Sequence, residues 1–264
     1  MRIRVSCRDK PHGREYTIAG KGVNRFSEKS SGVLHGQKPR YQQRMRIGLH
    51  IVRQFMHMKY RLAIFDFDGT LADSFPFFVQ VINQLAEQHD FKKVDLDLVP
   101  MYRQYNARQI MEQVGMPAWK LPFVVKSFTS LMKQNAASIS LFEHIDDLLL
   151  HLANNGVTLA IVSSNSYDNV SQILGPENTK LISQFECGMS MFGKPARIQK
   201  VLRKTDIPCH EAIYIGDQAA DLEAARKEEV AFGAVSWGYE TIESLRAHFP
   251  EEEFDCVPAI RRIA

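Results

Sequence analysis

Residues 61–74 read Arg61-Leu62-Ala63-Ile64-Phe65-Asp66-Phe67-Asp68-Gly69-Thr70-Leu71-Ala72-Asp73-Ser74. The first half is a short apolar run rich in Ile and Phe, which predicts a strand buried on both faces. It breaks at Asp68-Gly69, a turn signal. Phe77, Phe78, Val81, Ile82 and Leu85 follow at helical spacing, so a helix is expected through about Glu87. From about 90 to 140 the pattern stays helical, with breaks at Pro100, Gly115–Pro117 and Pro122. Leu148, Leu149 and Leu152 mark another amphipathic helix, stopped by Asn154-Asn155-Gly156. Val157–Val162 is a second buried strand running into Ser163-Ser164-Asn165. Ala196–Leu202 reads as helix, and Ala212–Ile215 as a third strand ending at Gly216-Asp217. Leu222–Lys227 starts a helix, and Ala231–Val235 is a fourth strand. Strands alternating with helices imply an α/β fold with a parallel sheet between helical layers. The helical block between the first two strands is too long for one crossover, so it is expected to be an inserted subdomain.

Composition sets bounds on function. The chain has 264 residues, 45% hydrophobic and 24% charged, enough to bury a core. No stretch approaches the roughly 18–20 apolar residues that cross a bilayer. Cys7, Cys187, Cys209 and Cys256 form no CxxC pair, so neither a zinc site nor a disulfide framework is expected. A reducing cytoplasm fits best. Residues 1–57 hold 13 Lys/Arg against 3 Asp/Glu, which leaves 20 against 27 for residues 58–264. The basic character therefore belongs to one end, and the mildly acidic body argues against nucleic acid as its partner. Residues 1–46 show no sustained period and are expected to be disordered, with a short amphipathic helix around Ile47–Met58. Met58 stands directly before the globular pattern and is a candidate start.

The polar residues that end the apolar strands carry the chemistry. Asp66 and Asp68 end the first, Ser163 the second and Asp217 the third. Any one of them could be a helix N-cap. Together they fall where open parallel sheets bind ligands, beyond the carboxyl ends of the strands. Phosphoryl transfer needs a nucleophile, a hard cation with oxygen ligands, and fixed donors for the phosphoryl oxygens. Asp carboxylates, Lys194 and Ser163 are residue types that meet those needs.

Asp66-Phe67-Asp68-Gly69-Thr70-Leu71-Ala72-Asp73-Ser74 resembles the DxDGTLxDS signature of the haloacid-dehalogenase superfamily. The strand ending at Ser163, Lys194 in Gly193-Lys194-Pro195, and Gly216-Asp217-Gln218-Ala219-Ala220-Asp221 resemble its second, third and fourth motifs, in order, over about Lys59 to Glu240. The resemblance implies a three-layer Rossmann-like α/β core, residues 58–74 and 142–264, with a small all-helical cap over 75–141. This cap resembles that of the phosphoglycolate phosphatase-like subgroup. It implies that Asp66 is the nucleophile and that Asp68 is the acid and base. Ser163 and Lys194 then bind the transferring phosphoryl group. Magnesium falls to Asp66, Asp217 and the backbone carbonyl of Asp68, with Asp221 behind them. Ser164, Asn165 and Arg108 are the substrate-side candidates, Arg108 as partner for a second anionic group or as a solvated surface residue. Arg103 and Lys126 carry the same two readings.

Within that superfamily dehalogenases lack a carboxylate at the position of Asp68, since a departing halide needs no proton. The expected reaction is therefore hydrolysis of a small phosphorylated metabolite, such as a phosphoglycolate-like acid. A mutase of the β-phosphoglucomutase type is the alternative within the superfamily. A non-catalytic protein binding an anionic partner through its basic N-terminus is the alternative outside it. The nine histidines show no metal-ligand spacing, and Trp237-Gly238-Tyr239 and Phe77-Phe78 read as packing.

Overall fold

The computed structural model describes residues 59–188 and 193–264. The basic segment 1–57, with its expected disorder and short helix, lies outside the described residues. Six parallel strands form one sheet among them: β1 (Leu62–Phe65), β2 (Thr158–Ser163), β3 (Ile182–Cys187), β4 (Ala212–Gly216), β5 (Ala231–Val235) and β6 (Glu252–Phe254). Their order is β3-β2-β1-β4-β5-β6, which puts the chain's first strand at the centre. β1 aligns Leu62 with Thr158 on one side and with Ala212 on the other, so three strands begin at one level and run in step.

Side-chain alternation along the strands divides the core into two layers. Leu62 and Ile64 pack with Ala160, Val162, Tyr214 and Phe232 on one face. Ala63 and Phe65 pack with Leu159, Ile161, Ile213 and Ile215 on the other. A strand covered by helices on both sides must be apolar at every position, as β1 is.

The helices are α1 (Phe75–His89), α2 (Val99–Tyr102), α3 (Ala107–Gln113), α4 (Leu121–Gln134), α5 (Ile145–Asn154), α6 (Tyr167–Leu181), α7 (Gly193–Thr205), α8 (Ala219–Lys227) and α9 (Ile242–Arg246). The first four fill the segment between β1 and β2, where the inserted subdomain was expected. In α1 Pro76 occupies the first turn, where its missing N–H costs nothing. The buried stripe of α1 is Phe77, Val81, Ile82, Leu85 and Ala86, and the helix ends where Asp90 turns left-handed at φ 53°. A capping box at Asn106 and Gln109 starts α3. Ile82, Val94 and Val114 form a small core of their own among these elements.

Two strands and two helices of this fold, α6 and α9, escape the sequence pattern. β3 carries Ser183, Gln184 and Glu186 and is only partly buried, because it lies at the sheet edge. β6 is three residues long at the opposite edge. The helical run α6 is broken by Gly175, at φ 73°, followed by Pro176.

Burial tests the layering. Leu148 is fully buried on α5 whereas its near neighbour Leu150 is 50% exposed. Leu148→Ala is expected to cost about 2–5 kcal/mol in denaturant unfolding, and Leu150→Ala within about 0.5 kcal/mol of zero.

Candidate active site

Three strand ends deliver their polar residues to one place. Asp66 follows β1, its backbone N–H still bonded to the Ile215 carbonyl as though the strand continued. The chain then turns sharply: the N–H groups of Leu71 and Ala72 both donate to the Phe67 carbonyl at 2.9 Å, and Gly69 adopts φ 78°. A side chain there would also collide with the Asp217 carboxylate, so glycine is required twice over. Ser163 ends β2 fully buried, and Asp217 follows directly on β4.

Asp66, Asp217 and Asp221 are buried and present ligand oxygens that lie within 4.8 Å of one another. Lys194, in the first turn of α7, donates to Asp66 Oδ2 at 2.7 Å and also to Asp221 Oδ1. Burial disfavours the charge on Lys194, but Asp221 and Asp66 beside it override that cost and hold its pKa well above the ordinary value. Burial first, then the charges of Asp66 and Asp221, raise Asp217 well above the carboxylate range. Asp221 is pushed to about 7 by burial, against the pull of Lys194.

The donors around Asp217 come from two segments. Thr70 Oγ1 donates to its Oδ1 at 3.1 Å, and the Tyr239 N–H to its Oδ2 at 2.7 Å. Gly238 packs so closely against Asp217 that a Cβ there would overlap the carboxylate. The Trp237-Gly238-Tyr239 segment, read from sequence as packing alone, therefore also supplies a hydrogen bond to the cluster. What hides this is that the donor is a backbone N–H, which has no residue signature.

Asp68 stands apart from the cluster. Its Oδ2 accepts from Asn165 Nδ2 at 3.0 Å, while its Oδ1 is buried with no hydrogen-bond partner. Burial, then the charge of Asp66, lifts Asp68 to about 7. Asn165 is itself held: its Oδ1 accepts from the Ser166 N–H and from Asn169 Nδ2, and its N–H donates to Ser163 Oγ at 3.2 Å.

The structure thus brings together Asp66, Asp217, Asp221 and Lys194, with Asp68, Asn165 and Ser163 linked beside them. Ser164 is exposed and joins Asp68 and Asn165 in lining a cavity under the inserted helices. Arg108 is not brought to the cluster; it lies exposed on α3, paired with Glu112 at 3.2 Å. Arg103, by contrast, reaches across to the core. It donates to the Gly238 and Tyr239 carbonyls at 2.6 and 3.3 Å and stacks over Phe75.

The carboxylate cluster fits a hard divalent cation. Its ligand atoms are all oxygen, and Asp221 Oδ2 is buried without a partner. The three grouped side chains are Asp66, Asp217 and Asp221, and the Asp68 side chain is directed to Asn165, which leaves its backbone carbonyl as the expected ligand.

Like charges so close need Lys194. Lys194→Met is expected to destabilise the metal-free protein by about 3–5 kcal/mol in denaturant unfolding. Adding Asp221→Asn should recover part of that loss, which a double-mutant cycle reads directly.

A family profile described as haloacid dehalogenase-like hydrolase matches residues 63–235. A phosphoglycolate phosphatase of Synechococcus elongatus is 29% identical over 189 residues, covering 71% of this chain and 89% of its own. That of Psychrobacter arcticus is 26% identical over 220 residues, covering 77% and 95%. Among solved structures, one from Lactobacillus plantarum superposes with a TM-score of 0.65 at 20% identity, covering 78% of this chain and all of that one. A haloacid dehalogenase-like family protein of Streptococcus pneumoniae gives 0.60 at 19% identity, covering 76% and 97%.

Proposed function

The chain belongs to the haloacid dehalogenase-like hydrolases, and from that membership we propose that it is a magnesium-dependent phosphatase that hydrolyses a small phosphorylated metabolite through an aspartyl-phosphate on Asp66. The observation that carries this reading is the pairing of two differently placed carboxylates. Asp66 is held by Lys194 within a carboxylate cluster, and Asp68 is held by Asn165 outside it.

In the first step Asp66 attacks phosphorus, forming a new P–O bond as the ester's alcohol oxygen departs. Asp68 gives that oxygen its proton. In the second step Asp68 takes a proton from water, the water oxygen bonds to phosphorus, and Asp66 leaves as a free carboxylate with inorganic phosphate released. Lys194 and Ser163 hold the phosphoryl oxygens, and Ser164 and Asn165 border the departing group. Asp66, Asp217 and the Asp68 carbonyl would hold magnesium, which would screen the repulsion between carboxylate and phosphate. Asp221 keeps Lys194 in place by its ion pair. Homologues named phosphoglycolate phosphatase support an acid such as phosphoglycolate as one candidate substrate. Among the described residues no helix is long and apolar enough to cross a membrane.

Asp66→Asn should lower turnover of p-nitrophenyl phosphate by several orders of magnitude while circular dichroism stays native. Chelating the divalent cation should silence the wild type in the same assay. Activity persisting in the variant would sink the mechanism, and strict dependence on a bisphosphate activator would replace hydrolysis by a mutase reaction.

The groups assigned here all lie between Asp66 and Asp221. Deleting residues 1–57 should therefore leave kcat/KM within about threefold of the full chain, since the deletion removes none of these groups.

A further inference from the structure

A cavity of about 290 Å³ opens beside Asp68, Ser164 and Asn165 and runs up between α1, α3 and α4. That size is near the lower end of the roughly 300–1,000 Å³ of small-ligand sites. Its walls beyond the mouth are strongly apolar, with Phe78, Val79, Ile110, Val114, Val125 and Phe128 among them. The charged residues that line it are Asp68, Arg103 and Glu240. The Arg103 guanidinium already binds the Gly238 and Tyr239 carbonyls and covers the Phe75 ring. The other two are carboxylates, and Arg108 is not among the lining residues. A carboxylate on the departing alcohol would therefore meet acidic groups at the mouth and no uncommitted cation among the described residues within.

The direction of the departing group follows from the proposed mechanism, on which this inference rests. In an in-line displacement the departing oxygen lies across phosphorus from Asp66 and within reach of Asp68, and Asp68 lines this cavity. We propose that the alcohol released is bulky and apolar, of arylalkyl type, and that the cavity between the inserted helices and the core is its binding site. Burial of its carbon atoms supplies the selectivity, and Tyr102 and Tyr105 add aromatic faces to the wall.

The test uses the full chain with Mg²⁺ and three esters whose reacting phosphate is the same: ethyl phosphate, 2-phenylethyl phosphate and 2-phosphoglycolate. The phenyl ester should exceed the other two in kcat/KM by about tenfold or more. Equal rates, or a preference for 2-phosphoglycolate, would overturn the inference and leave the phosphatase reading intact. Calorimetry separates the two ideas from the other side, with 3-phenylpropylphosphonate expected to bind about tenfold tighter than propylphosphonate whether or not any ester turns over. If no ester is hydrolysed the phosphatase reading fails, and this binding difference alone then decides the cavity. Val125→Trp, which fills the cavity from α4, should bring the phenyl-to-ethyl ratio close to one. Ile110→Trp serves the same purpose from α3 should the first variant fold poorly. A ratio unchanged in a folded variant would place the apolar group elsewhere and overturn the proposal.

Discussion

Asp66, Asp217 and Asp221 hold carboxylate oxygens within 4.8 Å of one another, out of water, and Lys194 bridges two of them. Repulsion of that kind grows as the local dielectric falls, so the fold must restrain groups that would separate in solution. The restraint comes from the sheet. Asp66 and Asp217 follow two strands, β1 and β4, that are hydrogen-bonded neighbours in matched register. Asp221 enters from the first turn of α8, which packs onto β4 and β5. None of the three can retreat without disrupting a layer of the core. The cost is eased locally by Lys194, Thr70 and the Tyr239 N–H, each fixed by a different segment.

Those segments also tie the inserted helices to the cluster. Tyr239 donates its N–H to Asp217, and its hydroxyl lies 3.1 Å from that of Ser74, the residue that begins α1. Arg103, at the end of α2, binds the carbonyls of Gly238 and Tyr239, and the Thr241 N–H returns a bond to the Arg103 carbonyl. The loop after β5 is thus clasped by the inserted helices on one side and touches a cluster carboxylate on the other. Movement of α2 away from the core would have to break these bonds, and their loss would be felt at Asp217.

How much of this could be read from residues alone depended on where each group's energy comes from. The central strands β1, β2, β4 and β5 were legible because full burial on both faces demands unbroken apolar runs. β3 and β6 were not, because an edge position relaxes that demand and admits Ser183, Gln184 and Glu253. The groups Asp66, Asp68, Ser163, Lys194, Asp217 and Asp221 stood out because an apolar strand seldom ends in a charge and because their order matched a family signature. Asn165 was named as a substrate contact; that it also donates to Asp68 was not legible, because nothing in the spacing of the two residues reveals the bond. Arg103 was weighed only as a surface or substrate residue, since nothing in a helical pattern reveals that a guanidinium reaches a loop 135 residues away.

The separation of Asp66 from Asp68 shows how two-residue spacing becomes a difference in surroundings. On a continuing strand, residues two apart point to the same face, and both carboxylates would face Lys194. β1 stops at Phe65, and after Phe67 the backbone folds back so that N–H groups of Leu71 and Ala72 converge on the Phe67 carbonyl. Gly69 allows that reversal at φ 78°. Asp68 is thereby taken off the strand line and delivered to Asn165, into surroundings where burial disfavours its charge and lifts its pKa to about 7. Asp66 stays in line, against a cation. One carboxylate is left bonded to Lys194, and the other is made able to carry a proton near neutrality. The turn, more than the identity of either aspartate, is what gives them different surroundings.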